Sequence, residues 1–183
     1  MRAFVALEMS GQVVDALAEF QGALASTGAD IKLVERENLH LNLKFLGEIS
    51  ERQRAEAESR LKRLSVPGGE VDVKGTGAFP SSSKPRVVWA GVAREHEVLV
   101  LPIAQEVMRL LEGVGENDDR PYRAHITLGR ARSLRNLGIL GDLLRENSGR
   151  DFGRVVLTHV KLKSSLLTPT GPVYQDLGVY PLL

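Results

Sequence analysis

Two four-residue segments, His40-Leu41-Asn42-Leu43 and His125-Ile126-Thr127-Leu128, stand 85 residues apart (125 − 40), close to half of a 183-residue chain. Each occupies the same place in the same order of elements. An amphipathic helix precedes it, a polar helix follows, and two β-rich segments come after. A duplicated lobe with pseudo-two-fold symmetry has this consequence, and few other architectures do. The expected fold class is α+β and bilobal: two mostly antiparallel sheets line a central cleft, with helices packed outside. At 20.0 kDa the chain suits a single domain, 1–183, made of two intertwined lobes.

The element boundaries follow from periodicity and punctuation. Residues 2–7 form a strand. Ser10 caps a helix whose Val13, Val14, Leu17, Phe20 and Leu24 share one stripe. Ile31 to Val34 is a short strand. From Leu39 to Phe45 the chain alternates, with Leu39, Leu41, Leu43 and Phe45 on one face and His40, Asn42 and Lys44 on the other. Ser50 opens a charged helix that runs to about Leu64, where Pro67-Gly68-Gly69 breaks it. Strands near 70–78 and 86–92 flank a loop, 80–85. A helix over 96–112 and a loop from Gly113 to Pro121 lead into a strand from Tyr122 to Leu128. Ser133 caps a helix to 146 that carries Gly138 and Gly141, and strands near 153–163 and 172–180 close the chain.

Composition removes whole classes of function. With no cysteine there is no disulfide framework, thiolate metal site or cysteine nucleophile. No apolar run approaches the roughly 20 residues of a membrane span, and the opening Met1-Arg2-Ala3-Phe4-Val5-Ala6-Leu7-Glu8 reaches an acid too early for a signal-peptide core. A cytoplasmic monomer is expected, with no membrane partner. The net charge of +1 says little, but Arg120, Arg123, Arg130, Arg132 and Arg135 crowd around the second motif. Such a cluster suits a phosphate-bearing ligand, although alone it would read as a solvated face.

In a strand, residues i and i+2 share a face, so His40 stands beside Asn42 and His125 beside Thr127, each backed by buried leucine or isoleucine. If the lobes face one another, two imidazoles and two hydrogen-bonding groups converge. Phosphodiester chemistry without a metal can use that set. A neutral imidazole takes a proton from the attacking water, and a protonated one gives a proton to the departing ribose oxygen. Asn42 and Thr127 donate to the non-bridging oxygens. Activity should then trace a bell against pH, with limbs flanking the ordinary histidine range near 6.5. His96 and His159 recur in no matching motif and read as structural.

The paired signature resembles the two-histidine (2H) phosphoesterases, and within them the RNA 2′,3′-cyclic phosphodiesterases once named 2′–5′ RNA ligases. The likeness runs through Arg2-Ala3-Phe4-Val5-Ala6, Leu39 to Gly47, Gly77-Ala78-Phe79-Pro80, Pro85 to Trp89, Pro121 to Arg130, Ser165-Leu166-Leu167 and Gly171 to Tyr174. It implies a V-shaped cleft, no metal or other cofactor, and hydrolysis of an RNA-terminal 2′,3′-cyclic phosphate to a 2′-phosphate. It also implies residual reversible ligase activity, His40 as proton donor and His125 as proton acceptor. Asn42 departs from the family's usual Thr, which shifts the donor geometry at that point.

Arg130 could join the site only if its strand ends or bends at Gly129. Phe79, Trp89 and Tyr122 are either base-stacking platforms or core. Lys74-Gly75-Thr76-Gly77 lacks P-loop spacing. The competing readings are a phosphodiesterase for small cyclic nucleotides or 2′–5′ oligonucleotides, and a non-catalytic nucleotide- or RNA-binding domain.

Overall fold

A computed structural model describes residues 1–183. In the first half the elements are β1 (Arg2–Glu8), α1 (Gly11–Ser26), β2 (Ile31–Leu33), β3 (His40–Glu48), α2 (Glu51–Leu61), β4 (Gly69–Ser81) and β5 (Lys84–Val92). The second half adds α3 (Glu97–Leu110), β6 (Ile126–Ala131), α4 (Leu137–Glu146), β7 (Asp151–Leu157), β8 (His159–Thr168) and β9 (Gly171–Pro181). None of the helices is long and apolar enough to cross a membrane.

Local chemistry sets most of these limits. Ser10 accepts from the Val13 amide and starts α1, and Ser50 and Gln53 form a reciprocal capping box at α2. Ser133 does not cap α4. Its hydroxyl accepts from the Arg135 amide in a bend, and the helix begins after Asn136, held at φ 53°. The segment 80–85 is a tight hairpin turn, since β4 runs to Ser81 and β5 starts at Lys84, paired with it.

Every strand pairing is antiparallel, in the order β7-β4-β5-β6-β3-β1-β8-β9, with β2 added against β6. The two expected sheets are therefore the halves of one nine-stranded sheet, five strands with β2 on one side and four on the other, joined where β3 meets β6 at one residue pair, Leu41 opposite Ile126. Both side chains are fully buried, within one continuous core that underlies both halves. Truncating such a residue to alanine costs about 2–5 kcal/mol.

The chain crosses between halves repeatedly. Helix α1 leaves β1 on one side and packs against β6 and β7 on the other, with Phe20 edge-on to Phe152 at 5.6 Å. Helix α3 leaves β5 and packs against β3. The stretch expected as one strand over 153–163 is two strands, broken at Thr158. Strand β7 pairs with β4, and β8 pairs with β1 across the molecule.

One irregularity repeats at the motif interval. Between Val5 and Ala6, β3 advances two residues (Lys44 to Asn42) while β1 advances one, so Leu43 is a bulged residue. Between Val88 and Trp89, β6 likewise advances from Gly129 to Thr127, leaving Leu128 as the extra residue. Both leucines are buried, three positions after their histidine. A bulge inverts the alternation beyond it. Phe45, expected with the core leucines, is thereby turned out, 39% exposed with the Arg2 guanidinium 5.6 Å from its ring centre. Arg130 is its counterpart in the second half.

Candidate active site

His40 is the first residue of β3, and His125 directly precedes β6 rather than lying inside a strand that starts at Tyr122. The two therefore flank the only β3–β6 pair, Leu41 and Ile126. Antiparallel register sets His40 toward Thr127 and Asn42 toward His125, on the face opposite the buried Leu41, Leu43, Ile126 and Leu128. Four of the five sequence-derived site residues, His40, Asn42, His125 and Thr127, thus converge on one seam.

Both imidazoles are held alike. His40 Nδ1 lies 2.6 Å from the Asn38 carbonyl, and His125 Nδ1 lies 2.7 Å from the Arg123 carbonyl. A carbonyl only accepts, so each Nδ1 carries a hydrogen and donates it. Nε2, which has no protein partner, is left as the working nitrogen on each ring. Aromatic rings fix the planes. Phe4 stacks on His40 at 4.9 Å and Tyr174 meets it edge-on at 5.5 Å, while Phe79 meets His125 edge-on at 5.0 Å.

Burial pushes the His40 imidazole down from 6.5 to about 4. Its bond to Asn38 and the Glu8 carboxylate oppose the shift, and Lys163 and His125 add to it. Burial also lowers His125, opposed by the bond to Arg123 and aided by the charges of Arg130 and Arg123. The ligand-free site therefore lies on the acid side of the ordinary histidine range, not astride it.

Arg130 lies beyond the bulge at Leu128. Carried onto the face of His125 and Thr127, its charge acts on both His125 and Tyr174. The rest of the arginine cluster disperses. Arg120 pairs with Asp118, Arg132 pairs with Asp30, and Arg135 donates to the Gly28 carbonyl. Only Arg123, 5.5 Å from the centre of the Phe79 ring, stays with Arg130 near the seam.

Asn42 presents its amide asymmetrically: Oδ1 is buried without a partner. Tyr122, one of the three aromatic candidates, donates its hydroxyl to the Asn42 carbonyl and so buttresses β3. Phe79 and Trp89, 5.4 Å apart, line a cavity of about 550 Å³ together with Lys74, Tyr122 and Arg123. The Trp89 ring covers Gly77, where a Cβ would come within 2.5 Å of it, so glycine is required there. His96 and His159 lie elsewhere: His96 Nδ1 accepts from the Asp72 amide, and His159 pairs with the Thr158 hydroxyl. No group of three or more His, Asp or Glu is placed to hold a metal ion.

Sequence reasoning missed Phe4, Tyr174, Glu8 and Lys163. The last three share a cavity of about 260 Å³ with His40. Tyr174 and Lys163 come from β9 and β8, brought to β3 only by pairing across the halves. Glu8 was detectable in principle, as the end of the strand that pairs with β3.

A family model described as LigT like Phosphoesterase matches residues 7–89. A protein of Archaeoglobus fulgidus named RNA 2′,3′-cyclic phosphodiesterase is 37% identical, over 98% of this chain and 99% of its own length. One of the same name from Aeropyrum pernix is 39% identical, over 90% and 94%. The crystal structure of TT0787 of Thermus thermophilus superposes with a TM-score of 0.75 at 28% identity, covering 99% of this chain and 97% of that one. Escherichia coli LigT, solved with 3′-AMP, superposes at 0.80 with 23% identity over 99% and 97%, a likeness of fold. The chain belongs to the LigT-like phosphoesterases, hydrolases of the two-histidine family.

Proposed function

We propose that this chain opens the terminal 2′,3′-cyclic phosphate of RNA, leaving a 2′-phosphate, with His40 as proton donor and His125 as proton acceptor. The observation that carries the reading is the matched pair of imidazoles, each tied through Nδ1 and free at Nε2, on either side of one strand pair. Relatives over the full length are named RNA 2′,3′-cyclic phosphodiesterase.

Water attacks phosphorus while His125 Nε2 takes its proton. The P–O3′ bond breaks, and His40 Nε2–H protonates the departing O3′. The two rings end with exchanged protonation, which solvent resets. Charge building on the non-bridging oxygens is met by Asn42, Thr127 and the Arg130 guanidinium. In this role the Asn42 amide turns Nδ2 to the phosphate, which leaves Oδ1 in its unpartnered position.

The charges around the two rings differ: Glu8 favours a proton on His40 while Lys163 opposes it, whereas Arg130 and Arg123 both disfavour one on His125. A bound cyclic phosphate, itself an anion, raises both rings, and His40 gains its proton as substrate binds. Replacing water by the 5′-hydroxyl of a second RNA uses the same groups in the same roles: His125 takes the hydroxyl proton, His40 protonates the departing O3′, and a 2′–5′ linkage results. The terminal base rests on Phe79 or Trp89 beside the 550 Å³ cavity.

The test is an oligoribonucleotide ending in a 2′,3′-cyclic phosphate, incubated with EDTA and no added metal, the product identified by phosphorus NMR. A 2′-phosphate is expected. A 3′-phosphate would overturn the polarity, and no turnover would leave a binding domain.

A further inference from the structure

The two halves match in backbone but not in charge, and the difference lies at Glu8. In the β1–β3 register Glu8 stands directly opposite His40. In the second half Ala90 faces Ile126, so the position next to it, toward His125, belongs to Gly91, which has no side chain. Glu8 is not a loose surface acid. Lys163 Nζ lies 2.8 Å from its Oε1 and Lys161 Nζ 2.8 Å from its Oε2. The same two lysines hold Asp176 at 2.6 Å and 2.7 Å. Lys163 is only 11% exposed, and it shares the 260 Å³ cavity with His40, Glu8 and Tyr174.

We propose that Glu8 and Lys163 are positioning residues for His40. Glu8 is the counter-charge that favours a proton on His40, and Lys163 both fixes Glu8 and opposes that proton. The inference rests on the acid role given to His40 above. It goes further by naming the groups that set the proton affinity of one of two symmetry-related histidines.

The other charged or titratable groups around His40 can be enumerated. From the turn at 36–38 come Arg36, itself paired with Asp15, and Glu37. Strand β9 brings Tyr174 and Asp176, the latter already held by both lysines, and β8 brings Lys161, bound to Glu8. His125 faces it from β6. Among these, Glu8 is the carboxylate paired across the strand to His40, and Lys163 is the cation bound to that carboxylate within the same cavity. Burial pushes the Glu8 carboxyl up, but Lys161 and Lys163 overcome this and hold it below its usual value, which favours its anionic form.

Opposite neighbours predict opposite effects. Glu8→Gln removes the anion and keeps the shape; Lys163→Met removes the cation and keeps the stem. The readout is NMR titration of the His40 ring in the ligand-free protein, a measurement that does not depend on turnover. Glu8→Gln should lower the midpoint by roughly one unit and Lys163→Met should raise it by roughly as much, a tenfold change in proton affinity each way. The His125 midpoint should move little in either. With cyclic-phosphate substrate, the alkaline limb of kcat/KM should follow the His40 midpoint in both variants. A merely structural network would lower thermal stability in both and shift the two titrations in the same direction or not at all; that result overturns the proposal. Opposite shifts without any turnover would keep this pair while refuting the phosphodiesterase reading.

Discussion

Lowering the pH from about 7 to about 4 should remove about 3 kcal/mol of folding stability through His40 alone. In the folded protein its imidazole is held at about 4, against 6.5 for the ordinary side chain. That gap of two to three units, at about 1.4 kcal/mol per unit, gives the figure. The sign follows from which state binds the proton. The unfolded chain protonates first as the pH falls through 6.5, and the folded chain resists until about 4, so acid favours unfolding. The contribution is complete above 6.5, declines through the window, and is gone below about 4. Urea unfolding of the parent and of His40→Asn, compared at half-unit steps, isolates it. Asn keeps a donor for the Asn38 carbonyl and removes the titration. The parent's advantage should be constant above about 6.5 and fall by about 3 kcal/mol toward pH 4. Parallel curves through the window would refute the reasoning, because a ring accessible enough to protonate freely in the native state costs nothing.

Three further outcomes follow from the same geometry. Because burial lowers both imidazoles, the bell for kcat/KM, which reports free enzyme, should lie below about 6.5, and the bell for kcat should lie at higher pH once the substrate's anion is bound; coincident bells centred above 7 would contradict this. Replacing His40 or His125 by Ala should each lower the rate by about 10²–10⁴, and Asn42→Val by up to roughly 10²–10³, while Asn42→Thr keeps the activity; steady-state assays on a cyclic-phosphate oligonucleotide decide. Gln21→Leu removes the buried amide that donates to the Val34 and Leu128 carbonyls at 2.8 Å and 2.9 Å, and should cost about 1–3 kcal/mol with a raised KM as the bulge relaxes and Arg130 loses its aim; an unchanged KM would separate the bulge from binding.

What the sequence disclosed was whatever depends on neighbours in the chain. The alternation around each histidine fixed its face, and Ser10 and Ser50 fixed two helix starts, because capping and pleat are local. The pairing of distant strands was hidden. Nothing in the run from Phe152 to Lys163 distinguishes one long strand from two that part at Thr158 for opposite sides of the molecule, since both are apolar alternations. Tyr174 and Lys163 were missed for that reason. Phe45 was misplaced, and Arg130 left conditional, because a bulge inverts the alternation and its signal, one additional buried leucine, looks like any other leucine. The arginine cluster was over-read. Nearness in sequence to the motif did not survive folding for Arg120, Arg132 and Arg135, each of which has a partner of its own.

The repeated bulge explains how a duplicated scaffold can support chemistry that needs two unlike ends. A regular strand would send His125 and Arg130, five residues apart, to opposite faces; one extra residue at Leu128 sets both on the same side. The first half contains the same device at Leu43, but the residue it turns out is Phe45, which brings no charge to the seam. On the proposed reading, the cation for the phosphate therefore comes from one half only. The carboxylate opposite a histidine likewise comes from one half only, at Glu8 rather than Gly91. Backbone symmetry brings two identical imidazoles together at a single strand pair, where a phosphodiester can sit between them. Side chains break that symmetry: Glu8 and Lys163 act on one ring, Arg130 and Arg123 on the other, so the two imidazoles differ in their affinity for a proton.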